Sequence, residues 1–293
     1  MDRMGAFEAC CRRAGVWARQ GRYAEAEEAY REAIELRPEE VKVHLDLALV
    51  LRRLRRSADA EHVLRGAVKL RPELASVHAE LGAVLFEQAR YHEAAEAFAE
   101  ATRLRPDFAR AHLNLGLALE RFGDLVGAEK ALGEALRLRP DDGVARANLG
   151  TVLRRQRRAG DAEAIYRDGA VRSGSARSHF DLGRTLFEQR RYPEAAEAFR
   201  EAIRLRRDDV KARRALGLTL ERLGQVHEAI AVYREALSLR RDDPELYRRL
   251  GLVLRRRRRY VEATAAFRDA LALDPGNAPA DRKSTRLNSS HRI

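Results

Sequence analysis

Residues 75–108 read ASVHAELGAVLFEQARYHEAAEAFAEATRLRPDF. Numbered from Ala75, positions 4, 7, 8 and 11 are His78, Leu81, Gly82 and Leu85, which share one face of a helix. Positions 20, 24 and 27 are Ala94, Phe98 and Ala101, a face on a second helix. Gln88 to Tyr91 forms the turn between them, and Pro106 ends the second helix because a proline cannot continue one. The small residues at positions 8, 20 and 27 let two helices approach closely, while the larger ones fill the remaining space.

The same unit recurs along the chain. Leu-Gly pairs mark it at Leu81-Gly82, Leu115-Gly116, Leu149-Gly150, Leu182-Gly183, Leu216-Gly217 and Leu250-Gly251, at spacings of 34, 34, 33, 34 and 34 residues. A fixed period of this size specifies a stacked array. One helical pair cannot bury its apolar face alone, so neighbouring pairs must share it. Eight repeats are expected, at residues 7–40, 41–74, 75–108, 109–142, 143–175, 176–209, 210–243 and 244–277. In repeat 1, Arg13 replaces the usual leucine, and Trp17 is expected in the core. Repeat 5 is one residue short, carries Gly169 in place of alanine and has Ser173-Gly174-Ser175 in place of the proline turn, so it is expected to be the softest joint. Arg207 and Arg241 stand where proline is expected, but Asp209 and Asp243 can cap the helices that follow.

In phase and spacing, the small residue at position 8, the alanines at 20 and 27, the aromatic at 24 and the proline at 32 resemble the tetratricopeptide repeat. That resemblance implies an all-α, right-handed superhelix of eight helical hairpins. It further implies that the first helix of each pair lines a concave groove that holds a peptide or a partner's helix. A longer period is superimposed. Repeats 3 and 6 share Leu-Phe-Glu-Gln at 85–88 and 186–189, repeats 4 and 7 share Leu-Glu-Arg, and repeats 2, 5 and 8 share arginine-rich turns. A block of three repeats has been duplicated as a unit.

Residues 278–280 begin a ninth repeat, and the pattern then stops. Asp281 to His291, DRKSTRLNSSH, resembles one reading frame of a common sequencing-library adapter. Residues 281–293 are therefore expected to be a non-native tail, and the natural chain is expected to continue past Ala280.

The 293 residues are 35% charged with a formal net charge of +12, and arginine dominates the basic residues. Arginine and alanine at this level point to a GC-rich bacterial genome. No run of 18 apolar residues is present, so no membrane-spanning helix is expected. The opening MDRMG lacks the apolar segment of a signal peptide, and a cytoplasmic location is expected. Cys10 and Cys11 are adjacent and fit no metal or redox spacing. No nucleophile–base set, phosphate-binding glycine loop or metal motif stands out; neither catalysis nor a cofactor is expected of this region.

Groove positions on the first helices are 2, 5, 6, 9, 12 and 13. Position 6 carries Asn114 and Asn148 in adjacent repeats. The tetratricopeptide arm of O-linked N-acetylglucosamine transferases has an asparagine ladder at this place that grips peptide backbone, and an amide suits that task because it both donates and accepts. Here Asp46, Glu80 and Asp181 occupy the position elsewhere, so no ladder runs the whole length. The carboxylate clamp of chaperone adaptors is not met either, since Asp181 stands where a cation is required. The candidate groove residues are Asn114, Asn148, Arg110, Arg177, Phe180 and Arg184. Histidines at position 4, His44, His78, His112 and His179, read as core-edge packing, because packed helices about 8–10 Å apart keep successive rungs from sharing a metal.

The arginine turns form a basic edge: Arg52, Arg53, Arg55 and Arg56; Arg154, Arg155, Arg157 and Arg158; and Arg255, Arg256, Arg257, Arg258 and Arg259. They offer contact with nucleic-acid phosphates or an anionic surface as a lesser reading, with few aromatics beside them for bases to stack on. The leading expectation is a protein- or peptide-binding scaffold. The alternative is the substrate-recognition arm of a larger bacterial enzyme, a glycosyltransferase or sulfotransferase, with its catalytic domain beyond residue 280.

Overall fold

The computed structural model describes residues 3–274, which form sixteen α-helices and no strand. The ninth-repeat start and the tail lie outside them. The chain divides into two compact units, one ending at Gln156 and the other beginning at Arg157, so the division falls inside repeat 5. The first unit holds α1 (Arg3–Arg19), α2 (Tyr23–Leu36), α3 (Val41–Arg53), α4 (Ser57–Leu70), α5 (Ala75–Glu87), α6 (Tyr91–Leu104), α7 (Ala109–Phe122), α8 (Leu125–Leu138) and α9 (Gly143–Arg155). The second holds α10 (Ala159–Ser173), α11 (Ala176–Glu188), α12 (Tyr192–Leu205), α13 (Val210–Arg222), α14 (Val226–Leu239), α15 (Pro244–Arg256) and α16 (Tyr260–Leu273).

Within each unit every helix packs on its neighbours in chain order. Odd-numbered helices also touch one another, α3 with α5, α5 with α7, α7 with α9, and α11 with α13, so they form a row. The period of the sequence explains the packing. A Cβ built on Gly82 would lie 2.9 Å from the Phe98 ring, and one on Gly183 2.8 Å from the Phe199 ring. Position 8 is small because position 24 of the partner helix lies directly on it, and Phe98 and Phe199 are each 1% exposed.

Each hairpin turn contains a left-handed residue at position 15. Gly21, Gly123 and Gly224 take it without strain, whereas Arg55, Ala89, Arg157, Arg190 and Arg258 hold φ near 60° with a side chain present. The turns between repeats are closed differently. Pro72 and Pro106 leave carbonyl oxygens that accept from Nε2 of His78 (2.8 Å) and His112 (2.9 Å), and Arg146 donates to the Pro140 carbonyl in the same way. His78 and His112 therefore do more than pack at the core edge, because each ties its helix back to the preceding turn. Where proline is absent, Asp209 takes over, accepting from the backbone of Ala212 (2.9 Å) and pairing with Arg206. Asp243 accepts from Glu245 (3.0 Å) and Leu246 (3.1 Å) with Pro244 in the first turn. Both aspartates cap as expected.

One expectation needs adjustment. Trp17 is only half-buried: the guanidiniums of Arg13 and Arg22 lie over its ring at 5.3 Å, and Arg13 also pairs with Glu32. With arginine where leucine usually closes the hairpin, the indole packs against the core and also carries cation–π contacts from both guanidiniums. Gly169 does not break its helix: α10 runs through it to Ser173 and closes on left-handed Gly174.

Contacts recur at the same three-repeat interval as the longer period of the sequence. In the first unit, Glu61 accepts from Arg65, Arg90 and Gln88, and Phe86 meets Tyr91 edge-on at 5.2 Å. In the second, Glu163 accepts from Arg167 and Arg191, and Phe187 meets Tyr192 edge-on at 5.3 Å.

Candidate functional site

The row of odd-numbered helices in the first unit encloses a hollow of about 180 Å³. Its floor is apolar: Ala83 and Phe86 from α5, Leu117 from α7 and Phe98 from α6 beneath. They project there because positions 9 and 12 of a first helix lie on the face opposite its buried leucines. Arg110 and Asn114 come from the first two turns of α7. Neither side chain forms an ion pair or hydrogen bond among the described residues, and Arg110 is exposed. The opposite rim is already neutralised. Arg52 pairs with Glu80 at 2.8 Å and with Glu87 at 2.6 Å, and desolvation of its guanidinium is outweighed by Glu87 and Glu80, so its pKa is raised. The hollow therefore offers one free guanidinium, one free amide and an apolar floor.

The other predicted groove residues behave differently. Asn148 donates to the Val144 carbonyl on its own helix at 2.8 Å and does not line this hollow. In the second unit, Arg177 and Arg184 are not free ligands. Arg177 Nε lies 2.5 Å from one oxygen of Asp181 and Arg184 3.3 Å from the other, and the aspartate side chain is 1% exposed. A carboxylate buried that deeply needs both cations. Phe180 stacks at a tilt on Phe199, with ring centroids 5.8 Å apart. This corrects the grouping of the six residues: Arg110 and Asn114 share a hollow, while Arg177 and Arg184 converge on Asp181. The floor residues Phe86 and Leu117 were not singled out from the sequence, although positions 9 and 12 would have marked them.

The arginine turns are also largely spent within the fold. Arg56 pairs with Glu27 and Asp59, Arg155 with Glu120, Arg158 with Asp161, Arg256 with Glu221 and Arg259 with Glu262; Arg257 contacts the His227 ring. Arg154 is likewise engaged. Arg53, Arg55, Arg157, Arg255 and Arg258 make neither an ion pair nor a side-chain hydrogen bond among the described residues, and three of those occupy left-handed turn positions. Much of the basic edge of the sequence is, in the fold, taken up by arginine–carboxylate pairs, some between neighbouring repeats (Arg52–Glu80, Arg56–Glu27, Arg155–Glu120, Arg256–Glu221) and others within one repeat. No group of three or more metal-ligating side chains comes together among the described residues, and no described helix is long and apolar enough to cross a membrane.

A family description, tetratricopeptide repeat, matches residues 16–75, 79–143, 127–178, 147–210, 180–244 and 214–278. No curated protein sequence matches the chain. Among solved structures, the chain is similar to Pseudomonas aeruginosa pilF at 25% identity, covering 70% of this chain and 94% of that one, with a TM-score of 0.58. YrrB, a TPR protein with an unusual peptide-binding site, matches at 20% identity over 67% of this chain and 99% of its own, TM-score 0.52. A chain of the APC/C hetero-tetramer Cut9–Hcn1 matches at 17% identity and TM-score 0.56 over 90% of this chain, which spans about half (52%) of that longer one. The likenesses establish an all-α helical-repeat solenoid fold.

Proposed function

The chain belongs to the tetratricopeptide repeat family, and on that premise we propose that it is a protein- or peptide-binding scaffold whose first-helix row receives the partner. The observation that carries this reading is the hollow at Arg110 and Asn114. Its free amide can accept from and donate to an extended backbone whatever the ligand's side chains. Its free guanidinium supplies a charge-assisted bond to a carboxylate. The floor of Ala83, Phe86 and Leu117 takes one apolar side chain. A peptide with an apolar residue next to an acidic one fits all three. The likeness to YrrB, a TPR protein with an unusual peptide-binding site, supports the class of ligand.

The test is selection of peptides from a random display library on the full chain, followed by fluorescence anisotropy with the enriched sequences. The double variant Arg110→Ala/Asn114→Ala should weaken them at least tenfold. Enriched sequences without the apolar–acidic pair, or affinities untouched by the double variant, would move the site away from this hollow.

A further inference from the structure

Three repeats carry an acid at position 6 of the first helix, and the fold treats them differently. Glu80 is met by Arg52, which occupies position 12 of the preceding repeat. Asp181 is met by two arginines of its own helix. Asp46, on α3, has neither an ion pair nor a hydrogen bond among the described residues, although it is half-buried. The reason is one substitution in the preceding repeat. Ala18 stands on α1 where Arg52 stands one repeat later, so the guanidinium that would cover Asp46 is missing.

Space is left in its place. A hollow of about 540 Å³, within the range of ordinary ligand sites, opens at Ala18 and Asp46. Phe7 and Val43 give it apolar walls, and Gly15 and Ala18 keep its α1 side shallow. Burial pushes the Asp46 carboxyl above its ordinary value, with Lys42 pulling the other way without forming an ion pair. The Tyr30 hydroxyl, which also lines the space, is pushed up to about 12 by burial and by the charge of Asp46. A carboxylate held this way lacks the cation that its structural counterparts already have.

We propose that the hollow between α1 and α3 is a binding site for an arginine side chain of a partner polypeptide, whose guanidinium completes Asp46 as Arg52 completes Glu80. The planar fork of a guanidinium matches a carboxylate edge, and the three methylenes behind it would lie along Phe7 and Val43. Arg12, Arg19, Lys42 and Glu40 also line the hollow, and its three cations favour acidic residues on either side of the bound arginine. The inference rests on the peptide-scaffold reading, but it concerns a hollow separate from that of Arg110 and Asn114.

The experiment titrates the isotopically labelled full chain with acetyl-Leu-Arg-Leu-amide, following backbone amide shifts. The counterpart peptide carries citrulline, which keeps the shape of arginine and loses its charge. Saturable shifts confined to α1 and α3, at least tenfold weaker with citrulline, are expected. Asp46→Asn should weaken binding at least tenfold. Ala18→Arg should abolish it by supplying the guanidinium from within, while leaving the helical circular dichroism intact. Arg110→Ala/Asn114→Ala should leave this titration unchanged, so failure of the first site and failure of this one read separately. Absence of saturable shifts at α1 and α3, equal affinity for the citrulline peptide, or binding that survives Asp46→Asn and Ala18→Arg would overturn the proposal.

Discussion

Gly217→Ala is the sharpest perturbation of the packing rule on which the fold rests. Gly217 lies on α13 against Tyr233 of α14, a side chain that is 0% exposed. A Cβ at Gly217 would press into three ring carbons, with Cζ at 2.6 Å and Cδ1 at 2.9 Å. The ring cannot simply turn aside, because its hydroxyl donates to Glu221 at 2.6 Å. Overpacking of this kind costs about 1–3 kcal/mol. Displacing the ring forfeits a hydrogen bond to a charged acceptor worth about 1.5–3 kcal/mol. Removing a helical glycine returns about 1 kcal/mol. The net expectation is a loss of about 1.5–5 kcal/mol. Gly133→Ala is the control: it is also in mid-helix, but a Cβ there meets nothing within 4 Å, so the same change should stabilise by about 1 kcal/mol. Guanidinium denaturation followed by circular dichroism gives the magnitude, and hydrogen exchange at α13 and α14 locates it. Adding Tyr233→Leu should recover part of the loss, as repeat 2 already pairs Ala48 with Leu64, both buried. If Gly217→Ala were as stable as Gly133→Ala, close approach at position 8 would not be the reason for the glycine.

Glu61 and Glu163 supply a pH prediction. Burial would raise their pKa, but hydrogen bonds from Arg65, Arg90 and Gln88, and from Arg167, Arg191 and Gln189, hold both below the ordinary 4.5. A depressed carboxylate contributes stability that is present above its unfolded value and lost as pH falls through the folded one. Glu61→Gln/Glu163→Gln should therefore flatten the decline of stability below pH 4.5, measured by denaturation at stepped pH; an unchanged slope would refute the role. Ala89→Gly should stabilise by about 0.5–1 kcal/mol: the left-handed backbone costs a side chain about 1–2 kcal/mol, partly offset by the freer unfolded chain. A thermal melt without an upward shift would contradict it. Residues 162–175 should exchange amide protons faster than repeat 4, owing to Gly169 and the proline-free turn after α10; equal protection would remove the soft joint.

Much of this protein was legible in its sequence because repeat arrays are built from local rules. The period of 34, the small residue at position 8 and the large one at 24 recur with so little variation that helix, turn and partner face follow directly. The caps at Asp209 and Asp243 were legible too, since a cap acts within three residues of its own position. The tertiary structure decided which charges are spent. Arg52 meets Glu87 and Arg155 meets Glu120 across 35 residues, and Arg177 and Arg184 turn inward to Asp181 rather than outward to a ligand. No local pattern distinguishes a paired arginine from a free one. That outcome depends on which long side chains from neighbouring repeats reach the same carboxylate, and so it appears only when the repeats are stacked. The same holds for Asp46, whose partner is absent because of an alanine 28 residues earlier in the chain.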